Sequence, residues 1–361
     1  MESLYVNLGE NSYNISFHTD FDELAKVMSE INAPKKLMLV TDTNVEKLYA
    51  GEVMSVLKGA GYDIDCFAFD AGEENKTVNT VLDICSKCME HKLDRKSMIV
   101  ALGGGVTGDM AGFAASMYMR GISFVQIPTT LLSQSDSSVG GKTGVDFGGA
   151  KNILGAFLQP KHVYINVSVL KTLPEREFVS GMGEVIKHSI IRDSEFFSFL
   201  SENSEEIKNL DAQMLLPMSV KNCSIKADVV ERDEKENGIR AHLNFGHTIG
   251  HAIESASNYT LTHGECVALG MLGASYIACE RGLITDIELE SITELLDLYG
   301  FNMRTEIDDF DKILSLMFTD KKTVGGKIRF VLPVAIGAVD IFDDVTEDEI
   351  IAALEFIKSE E

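Results

Sequence analysis

Short apolar runs alternate with amphipathic stretches between about residues 36 and 170. The runs are bounded by Gly, Asp or Pro and have the length of buried strands. They occupy 36–40, 62–69, 97–102, 124–128 and 162–166. Stretches with helical spacing separate the early runs, at 45–59, 78–92 and 106–119. This βαβ alternation predicts an α/β domain with a doubly wound, mainly parallel sheet, as in nucleotide-binding domains.

Helical spacing dominates the rest of the chain. It extends over 175–190, 195–208, 212–231, 246–257, 264–281 and 286–299. A β-like segment at 328–337 and a helix at 347–358 follow, the helix opened by a capping box of Thr346 and Glu349. Because 361 residues exceed the usual size of one domain, we predict a nucleotide-binding domain over 1–173 and a mostly helical domain over 174–361. The functional site is expected between them.

The composition is that of a packed globular protein, with 45% hydrophobic residues and a mean hydropathy of +0.05. The formal charge of −24 repels polyanions, so we expect neither nucleic acid nor an anionic membrane as partner. No apolar run is long enough to span a bilayer, and the first residues lack the pattern of a signal peptide. We therefore expect a cytoplasmic protein that binds small molecules.

Six cysteines are scattered along the chain and are expected to be reduced thiols. Cys85 and Cys88 form one CxxC pair within a helical stretch, and no second pair follows at the spacing of a zinc ribbon. A structural role is therefore favoured over a redox or zinc-binding one.

A glycine-rich turn follows the apolar run 97–102. Gly103, Gly105 and Gly108 satisfy GxGxxG, and a helix of small residues begins directly after them. In this context backbone N–H groups can hold a pyrophosphate. No acidic residue lies about 20 positions downstream to bind a ribose, so Asp42, at the end of the first strong strand, is a candidate for that role. An ordinary βα turn is the alternative.

Histidines and carboxylates cluster in two further segments. His247 and His251 are four residues apart and share one helix face, and His263 follows in a segment that also carries glycine and glutamate. Glu184, with Lys187 one helical turn later, offers a carboxylate oxygen. A set of imidazoles and a carboxylate suits zinc that acts as a Lewis acid. For any single histidine a core role is favoured over a ligand role, but the set of histidines with a carboxylate favours a bound cation.

Basic residues lie in glycine-marked segments of this acidic chain and predict a local anion pocket. They are Lys142, Lys151, Lys226, Arg240 and the pair at 321–322. Lys142, between paired glycines and a threonine, is the strongest candidate, whereas solvated charge explains most single lysines.

In chain order, several blocks closely resemble 3-dehydroquinate synthases, from Asp42 to about residue 337. The blocks are GGGVTGDMAGFAAS, RGI, IPTTLLSQSDSSVGGKTGVD, AKN, TLPEREF, GMGEVIKH, ERDEKENGIRAHLNFGHTIGHAIE, HGE and DKK. The resemblance implies a lyase of the shikimate pathway, which leads to chorismate and the aromatic amino acids. It also implies NAD, a divalent metal that is zinc or else cobalt, and a homodimer.

The resemblance further implies a reaction course. The substrate, 3-deoxy-D-arabino-heptulosonate 7-phosphate, is oxidised transiently by NAD, loses phosphate, is reduced again and closes by an intramolecular aldol step. The product is 3-dehydroquinate, and NAD is used without net redox change.

Site residues are carried over position by position from this resemblance. The metal ligands are Glu184, His247 and His263, so that His251 leaves the ligand set. Catalytic roles are implied for Asp136, Lys142, Lys187, Glu236 and His251. Substrate binding is implied for Arg120, Asn152, Lys226, Arg240, Asn244, Lys321 and Lys322. NAD binding is implied for Asp42, Thr43, Asn44, Glu73, Lys76, Gly104, Gly105, Val106, Asp109, Thr129, Thr130, Lys142, Lys151, Leu170, Lys171 and Thr172.

Two of these implications concern specificity and assembly. Arg240 and Asn244 are expected around the substrate carboxylate, and Arg120 is expected to reach the phosphate in the other subunit.

Four positions depart from the family pattern and bear on cofactor affinity, namely Ala71, Ser135, Asp146 and Ser180.

Three alternatives stay open at this point. The chain could be another sugar phosphate cyclase whose substrate lacks the carboxylate, or a metal-dependent polyol dehydrogenase that releases NADH. It could also be a silent sensor of dinucleotide and metal.

Overall fold

The computed structural model describes residues 2–234, 238–257, 260–319 and 328–359. The chain forms two compact units. The first comprises Met1–Leu173 and Leu215–Ala227, and the second Pro174–Met214 and Asp228–Glu361. Among the described helices, none is long and apolar enough to cross a membrane.

The first unit is an α/β fold. Its elements are β1 (Glu2–Val6), β2 (Tyr13–His18), α1 (Leu24–Glu30), β3 (Lys36–Asp42), α2 (Thr43–Val45), a π-helical turn (Glu46–Ala50), α3 (Gly51–Gly59), β4 (Asp63–Phe69), α4 (Val78–Glu90), β5 (Met98–Gly103), α5 (Gly105–Met117), β6 (Ser123–Pro128), a second π-helical turn (Ser133–Ser137), β7 (Lys142–Phe147), β8 (Ala150–Phe157), β9 (His162–Asn166) and a 3-10 helix (Val167–Thr172).

Seven strands form one sheet in the order β1-β2-β9-β6-β5-β3-β4. All neighbouring pairs are parallel except β1 and β2. The predicted mainly parallel α/β sheet is therefore confirmed, and each of the five predicted strands is present within about one or two residues. β7 and β8 pair separately as an antiparallel hairpin.

Both faces of the central sheet are covered, which explains the uninterrupted apolar runs. In β3, Leu37 and Leu39 belong to one hydrophobic core cluster, whereas Met38 and Val40 belong to the cluster on the opposite face. Successive side chains of a strand point to opposite faces, so a strand buried on both sides must be apolar at every position.

β2 was not predicted, because its buried positions include polar residues. Ser16 Oγ lies 2.7 Å from His162 Nε2 and 2.8 Å from His18 Nε2, and all three residues are buried. Hydrogen bonds between the side chains replace the apolar contacts that a buried strand usually makes. Burial lowers the pKa of both histidines to about 4, so the cluster is neutral at pH 7.

The second unit is mostly helical, as predicted. Its elements are α6 (Glu175–Arg192), α7 (Ser194–Glu202), α8 (Ser204–Lys208), both ends of α9 (Ala212–Arg232), a 3-10 helix (Ile239–Asn244), α10 (His247–Ala256), α11 (His263–Glu280), α12 (Asp286–Leu298), α13 (Phe310–Thr319), β10 (Phe330–Ala335), β11 (Ala338–Phe342) and α14 (Glu347–Ile357).

Details of this unit differ from the prediction. The stretch predicted as one helix over 195–208 is two helices, α13 was not anticipated, and the β-like segment forms a hairpin of β10 with β11. The capping box of Thr346 and Glu349 is present at the start of α14.

The middle of α9 groups with the first unit, although the sequence suggested one continuous domain after residue 173. Asn222 Nδ2 donates to the carbonyl of Ser135 at 2.9 Å, and Cys223 Sγ lies 3.3 Å from the carbonyl of Gln134. Both carbonyls belong to the second π-helical turn. These long-range contacts, which helical spacing does not encode, determine the grouping.

The CxxC pair lies on α4, and all six cysteines are free thiols. Burial raises the pKa of Cys85, and it raises that of Cys88 to about 12. Because the thiolate is the reactive form, these two side chains are poor nucleophiles at pH 7.

Candidate active site

Three potential ligand atoms converge in the helical unit. Glu184 Oε1 lies 3.6 Å from His247 Nε2 and 3.6 Å from His263 Nε2. Both separations are too long for hydrogen bonds. They are close to the roughly 3.4 Å edge of a tetrahedron whose metal–ligand bonds measure about 2.1 Å. The two imidazoles and the buried carboxylate therefore fit a divalent cation in number, chemistry and spacing.

Close backbone packing brings the three ligand-bearing helices together. A Cβ on Gly264, at the start of α11, would lie 1.9 Å from the carbonyl oxygen of Ser180 in α6. A Cβ on Gly270, one to two turns later, would lie 1.8 Å from the carbonyl oxygen of Gly246, which precedes α10. Only glycine permits such approaches. The glycines of the second unit thus determine the distance between the histidines and Glu184.

The second nitrogen of each histidine also faces an acceptor. His247 Nδ1 lies 3.1 Å from the carbonyl of Phe245, and His263 Nδ1 lies 3.6 Å from Glu254 Oε2. Burial lowers the pKa of His263, but the carboxylates of Glu184 and Glu254 outweigh burial and raise it to about 9. A cation bound at Nε2 would replace a proton there, which couples metal binding to proton release.

His251 lies beside the cluster. Its ring centroid is 5.0 Å from that of His247 and 6.0 Å from that of His263. His251, Glu254 and His263 form a second group whose ligand atoms lie within 4.8 Å of one another. Spacing on α10 alone therefore does not decide whether His247 or His251 belongs with Glu184.

Lys187 forms a buried ion pair with Glu184 one turn along α6. The carboxylate oxygen that contacts the lysine is Oε2, whereas Oε1 faces the histidines. Lys187 therefore balances part of the negative charge of Glu184 and leaves the other oxygen directed at the cation site.

In the first unit, the candidate dinucleotide residues follow the carboxyl ends of parallel strands. β5 ends at Gly103, Gly104 is the N-cap of α5, and the helix begins at Gly105. A Cβ on Gly103 would lie 2.3 Å from Thr107 Oγ1, and one on Gly108 would lie 2.8 Å from Gln126 Oε1. The turn is as tight as the fingerprint implies, and the first N–H groups of a helix lack intrahelical partners and can bind phosphate.

Asp42 ends β3 beside this turn. Its Oδ1 accepts hydrogen bonds from the N–H groups of Asn44 at 2.9 Å and Val45 at 3.1 Å. Its Oδ2 lies 3.4 Å from Thr107 Oγ1 in α5. The residue singled out for a ribose hydroxyl therefore also caps the short helix that follows it.

Glu73 and Lys76 follow β4, and Lys76 Nζ contacts Asp109 Oδ2 in α5 at 2.7 Å. Burial, opposed by Lys76, raises the pKa of Asp109 to about 6. Burial lowers the pKa of Lys76, yet the charges of Asp109 and Glu73 outweigh it and leave the pKa raised. The pair joins the segment after β4 to the helix after the glycine turn.

Other predicted cofactor residues surround the same sheet edge. Thr129 and Thr130 follow β6, and a Cβ on Gly104 would lie 3.1 Å from Thr130 Cγ2. Leu170, Lys171 and Thr172 lie in the 3-10 helix after β9. The structure thus gathers the segments after β3, β4, β5, β6 and β9 at the edge where α/β sheets bind ligands.

The candidate anion-binding residues differ in their exposure and in their contacts. Lys142 and Lys151 are exposed on the hairpin of β7 and β8. Lys226 is buried in α9 and contacts Asp136 through both its carboxylate and its backbone carbonyl. Arg240 is buried in the second unit, where its guanidinium donates to the carbonyl of Glu234.

Asn152 shares the hairpin, and its N–H donates to Asp146 Oδ1 at 2.7 Å. The Asp146 N–H in turn donates to the carbonyl of Lys76 at 3.0 Å. The side chain at the departing position Asp146 therefore holds Asn152 within the hairpin, whereas the contact with Lys76 is made by the backbone and does not depend on the residue type at 146.

Ser180 also has a clear place in the structure. Its hydroxyl accepts a hydrogen bond from the N–H of Gly264 at 3.1 Å, so it supports the contact between α6 and α11. Ala71 donates its N–H to Thr43 Oγ1 at 3.2 Å, and Ser135 is buried in the second π-helical turn.

Three site predictions lie outside the described residues, namely Glu236, Lys321 and Lys322. Asn244 ends the 3-10 helix before α10. Glu254 was not singled out from the sequence, although a signal was present. With His247 and His251 it completes an i, i+4, i+7 series on one helix face.

Comparisons with known proteins identify the chain. A model of the 3-dehydroquinate synthase N-terminal region matches residues 66–180, and a model of the 3-dehydroquinate synthase C-terminal region matches residues 181–323. A 3-dehydroquinate synthase of Acetivibrio thermocellus is 52% identical over 333 residues, which cover 92% of each chain.

Two solved structures are also similar. One is a 2-epi-5-epi-valiolone synthase from Streptomyces hygroscopicus subsp. jinggangensis with NAD+ and Zn2+ bound, at a TM-score of 0.88 and 28% identity, covering 97% of this chain and 98% of the other. The second is a 2-deoxy-scyllo-inosose synthase complexed with carbaglucose-6-phosphate, NAD+ and Co2+, at a TM-score of 0.86 and 26% identity, covering 98% and 99%.

The chain therefore shares the fold of the sugar phosphate cyclases, the class to which these two synthases belong. Within that class the two sequence models together match most of the chain. The chain belongs to the 3-dehydroquinate synthase family.

Proposed function

We propose that the protein converts 3-deoxy-D-arabino-heptulosonate 7-phosphate into 3-dehydroquinate and inorganic phosphate, with NAD and a divalent metal as cofactors. The observation that carries the proposal is the convergence of Glu184, His247 and His263 in a chain of this family. Zinc is the proposed metal and cobalt the alternative, since the donor set suits either ion.

When bound, NAD takes up and returns a hydride, and the metal polarises a hydroxyl oxygen of the substrate. Glu184, His247 and His263 would hold the metal. The N–H groups at Gly104, Gly105 and Val106 would bind the pyrophosphate of NAD, as helix N-termini do in dinucleotide-binding folds.

The remaining residues bind the substrate and move protons in this proposal. Arg240 and Asn244 bind its carboxylate, because a guanidinium and an amide can both donate hydrogen bonds to it. His251 exchanges a proton with a substrate hydroxyl, because an imidazole can take up and release a proton near pH 7. Lys187 and Lys226, both buried and charge-paired, orient hydroxyl groups.

The proposal predicts a specific product balance. Purified protein incubated with the heptulosonate phosphate, Zn2+ and NAD far below the substrate concentration should release one phosphate for each 3-dehydroquinate formed. NADH should not accumulate, because the hydride returns to the substrate within one turnover. Phosphate assay, product identification by mass spectrometry and absorbance at the NADH band measure these three quantities.

The alternatives give different results in the same incubation. A polyol dehydrogenase would form NADH in step with turnover. The alternative of another sugar phosphate cyclase is favoured by the valiolone and inosose synthases among the structural neighbours. Such an enzyme would accept a sugar phosphate without the carboxylate. Turnover of such a substrate, with none of the heptulosonate phosphate, would refute the proposed substrate.

We also propose a homodimer in which Arg120 completes the phosphate site of the partner subunit. Arg120 is exposed and has a φ of 70°, and the preceding Met119 has a φ of 53°. Non-glycine residues adopt this region at an energetic cost and often at functional sites. Met117 and Met119 are more than 40% exposed beside Arg120, as expected for apolar residues that a second subunit covers.

Mixing of inactive subunits tests this arrangement. Arg120→Ala and Lys142→Ala chains should each be inactive as homodimers, and a purified hybrid dimer should regain activity because one of its two sites contains no substitution. Differently tagged chains allow isolation of the hybrid, and wild-type hybrids made in the same way are the control. An inactive hybrid with normal metal content would place Arg120 in the site of its own subunit and contradict the proposal.

A further inference from the structure

Glu254 lies behind the candidate metal site, on the side of His263 away from Glu184. Nε2 of His263 faces Glu184 Oε1 at 3.6 Å, and Nδ1 of the same ring faces Glu254 Oε2 at 3.6 Å. The imidazole thus lies between two carboxylates. Glu254 is only 9% exposed, so solvent screens its charge weakly.

The two histidines of the cluster are oriented by different means. Nδ1 of His247 faces a backbone carbonyl only two residues away in the chain, which the start of α10 holds in place. Nδ1 of His263 faces a side chain from another helix. The orientation of His263 therefore depends on one carboxylate that substitution can remove.

An imidazole that binds a metal through Nε2 must carry its proton on Nδ1. A carboxylate that accepts this proton selects the tautomer, aligns the ring and makes Nε2 a stronger donor to the metal. The present separation of 3.6 Å becomes a hydrogen bond of about 2.8 Å after a side-chain movement of less than about 1 Å. The Glu254 side chain has rotatable bonds that permit such a movement.

We infer that Glu254 is a positioning residue, which holds the Nδ1 proton of His263 so that Nε2 is presented to the cation proposed at Glu184, His247 and His263. The inference rests on the metal site of the proposed function. It adds a residue whose effect on the metal is exerted through His263 and involves no contact with the substrate.

Metal binding tests this role directly. In Glu254→Gln protein, one Co2+ should still bind per chain, but its Kd should rise by about 10- to 100-fold, the usual effect of losing such a partner. The carboxamide has nearly the same shape and lacks the charge. The visible absorption bands of bound Co2+, which report its coordination geometry, should keep their intensity and shift in position. Glu254→Asp should recover part of the lost affinity.

Two controls separate this role from a general effect of charge or folding. Glu280→Gln removes an exposed carboxylate at the end of α11, the helix that begins with His263, and should leave the Kd for Co2+ unchanged. Circular dichroism and urea denaturation of the Glu254 variants should match those of the wild type.

Three outcomes would overturn the inference. A Kd and a cobalt spectrum unchanged in Glu254→Gln would show that His263 needs no carboxylate partner, and the proposed activity would stand. Loss of a second metal equivalent present in the wild type would instead make Glu254 a ligand in the group with His251 and His263. Absence of any tight Co2+ site in the wild type would refute the metal site itself.

Discussion

Replacement of His247 by alanine should abolish retention of the divalent metal and the activity with it. Replacement of His251, one helical turn away, should leave one metal bound per chain and slow turnover. The reason is geometric. Nε2 of His247 and Nε2 of His263 each lie 3.6 Å from Glu184 Oε1, so the three atoms can bind one ion. Loss of one ligand of three should weaken metal binding by at least about 4 kcal/mol, which corresponds to a thousandfold rise in Kd.

The two variants should differ in size of effect as well as in kind. Metal affinity of His247→Ala should fall by at least about a thousandfold, and added Zn2+ should not restore activity at micromolar concentrations. Turnover of His251→Ala should fall by about 10²- to 10⁴-fold, the usual contribution of a proton-transfer group. Atomic absorption after gel filtration gives the metal content, and phosphate release gives turnover. Equal metal loss in both variants would contradict this assignment of ligands.

Substitution of Gly264 by alanine should disrupt the cluster without altering any ligand. The added Cβ would lie 1.9 Å from the carbonyl oxygen of Ser180, and a backbone oxygen inside α6 cannot rotate away. α11 would have to move away from α6 by more than about 1 Å, which carries His263 away from Glu184. We expect a loss of about 3 kcal/mol or more in the free energy of unfolding, at the upper end for overpacking.

Gly51→Ala is the matched control for this substitution. Gly51 lies at the start of α3, has a φ of −60°, and has no heavy atom within 4 Å of a Cβ built on it. Alanine there should leave stability unchanged or raise it by about 0.5–1 kcal/mol. The midpoints of urea denaturation and the Kd for Co2+ should be measured for both variants. A Gly264→Ala protein with the midpoint and affinity of the wild type would show that the contact between α6 and α11 does not determine the site.

Local patterns in the sequence predicted those parts of the fold whose cause is local. The strands of the central sheet were recognisable because burial on both faces requires an apolar residue at every position. β2 was not predicted because Ser16 hydrogen-bonds both to His18 in the same strand and to His162, a residue far away in the chain. Contacts between residues distant in the chain also explain why the middle of α9 groups with the first unit, through Asn222 and Cys223.

The candidate site also has features that local sequence geometry predicted and features that only the tertiary structure determined. Helical periodicity placed His247 and His251 on one face, and the glycine spacing after β5 indicated a turn able to bind phosphate, because both depend on the geometry of a few consecutive residues. Only the tertiary structure directed Glu184 at His247 and His263 and turned Glu254 towards the opposite edge of His263. Those distances depend on how closely three helices approach, and that approach is determined by backbone contacts at Gly264 and Gly270 between segments distant in the chain.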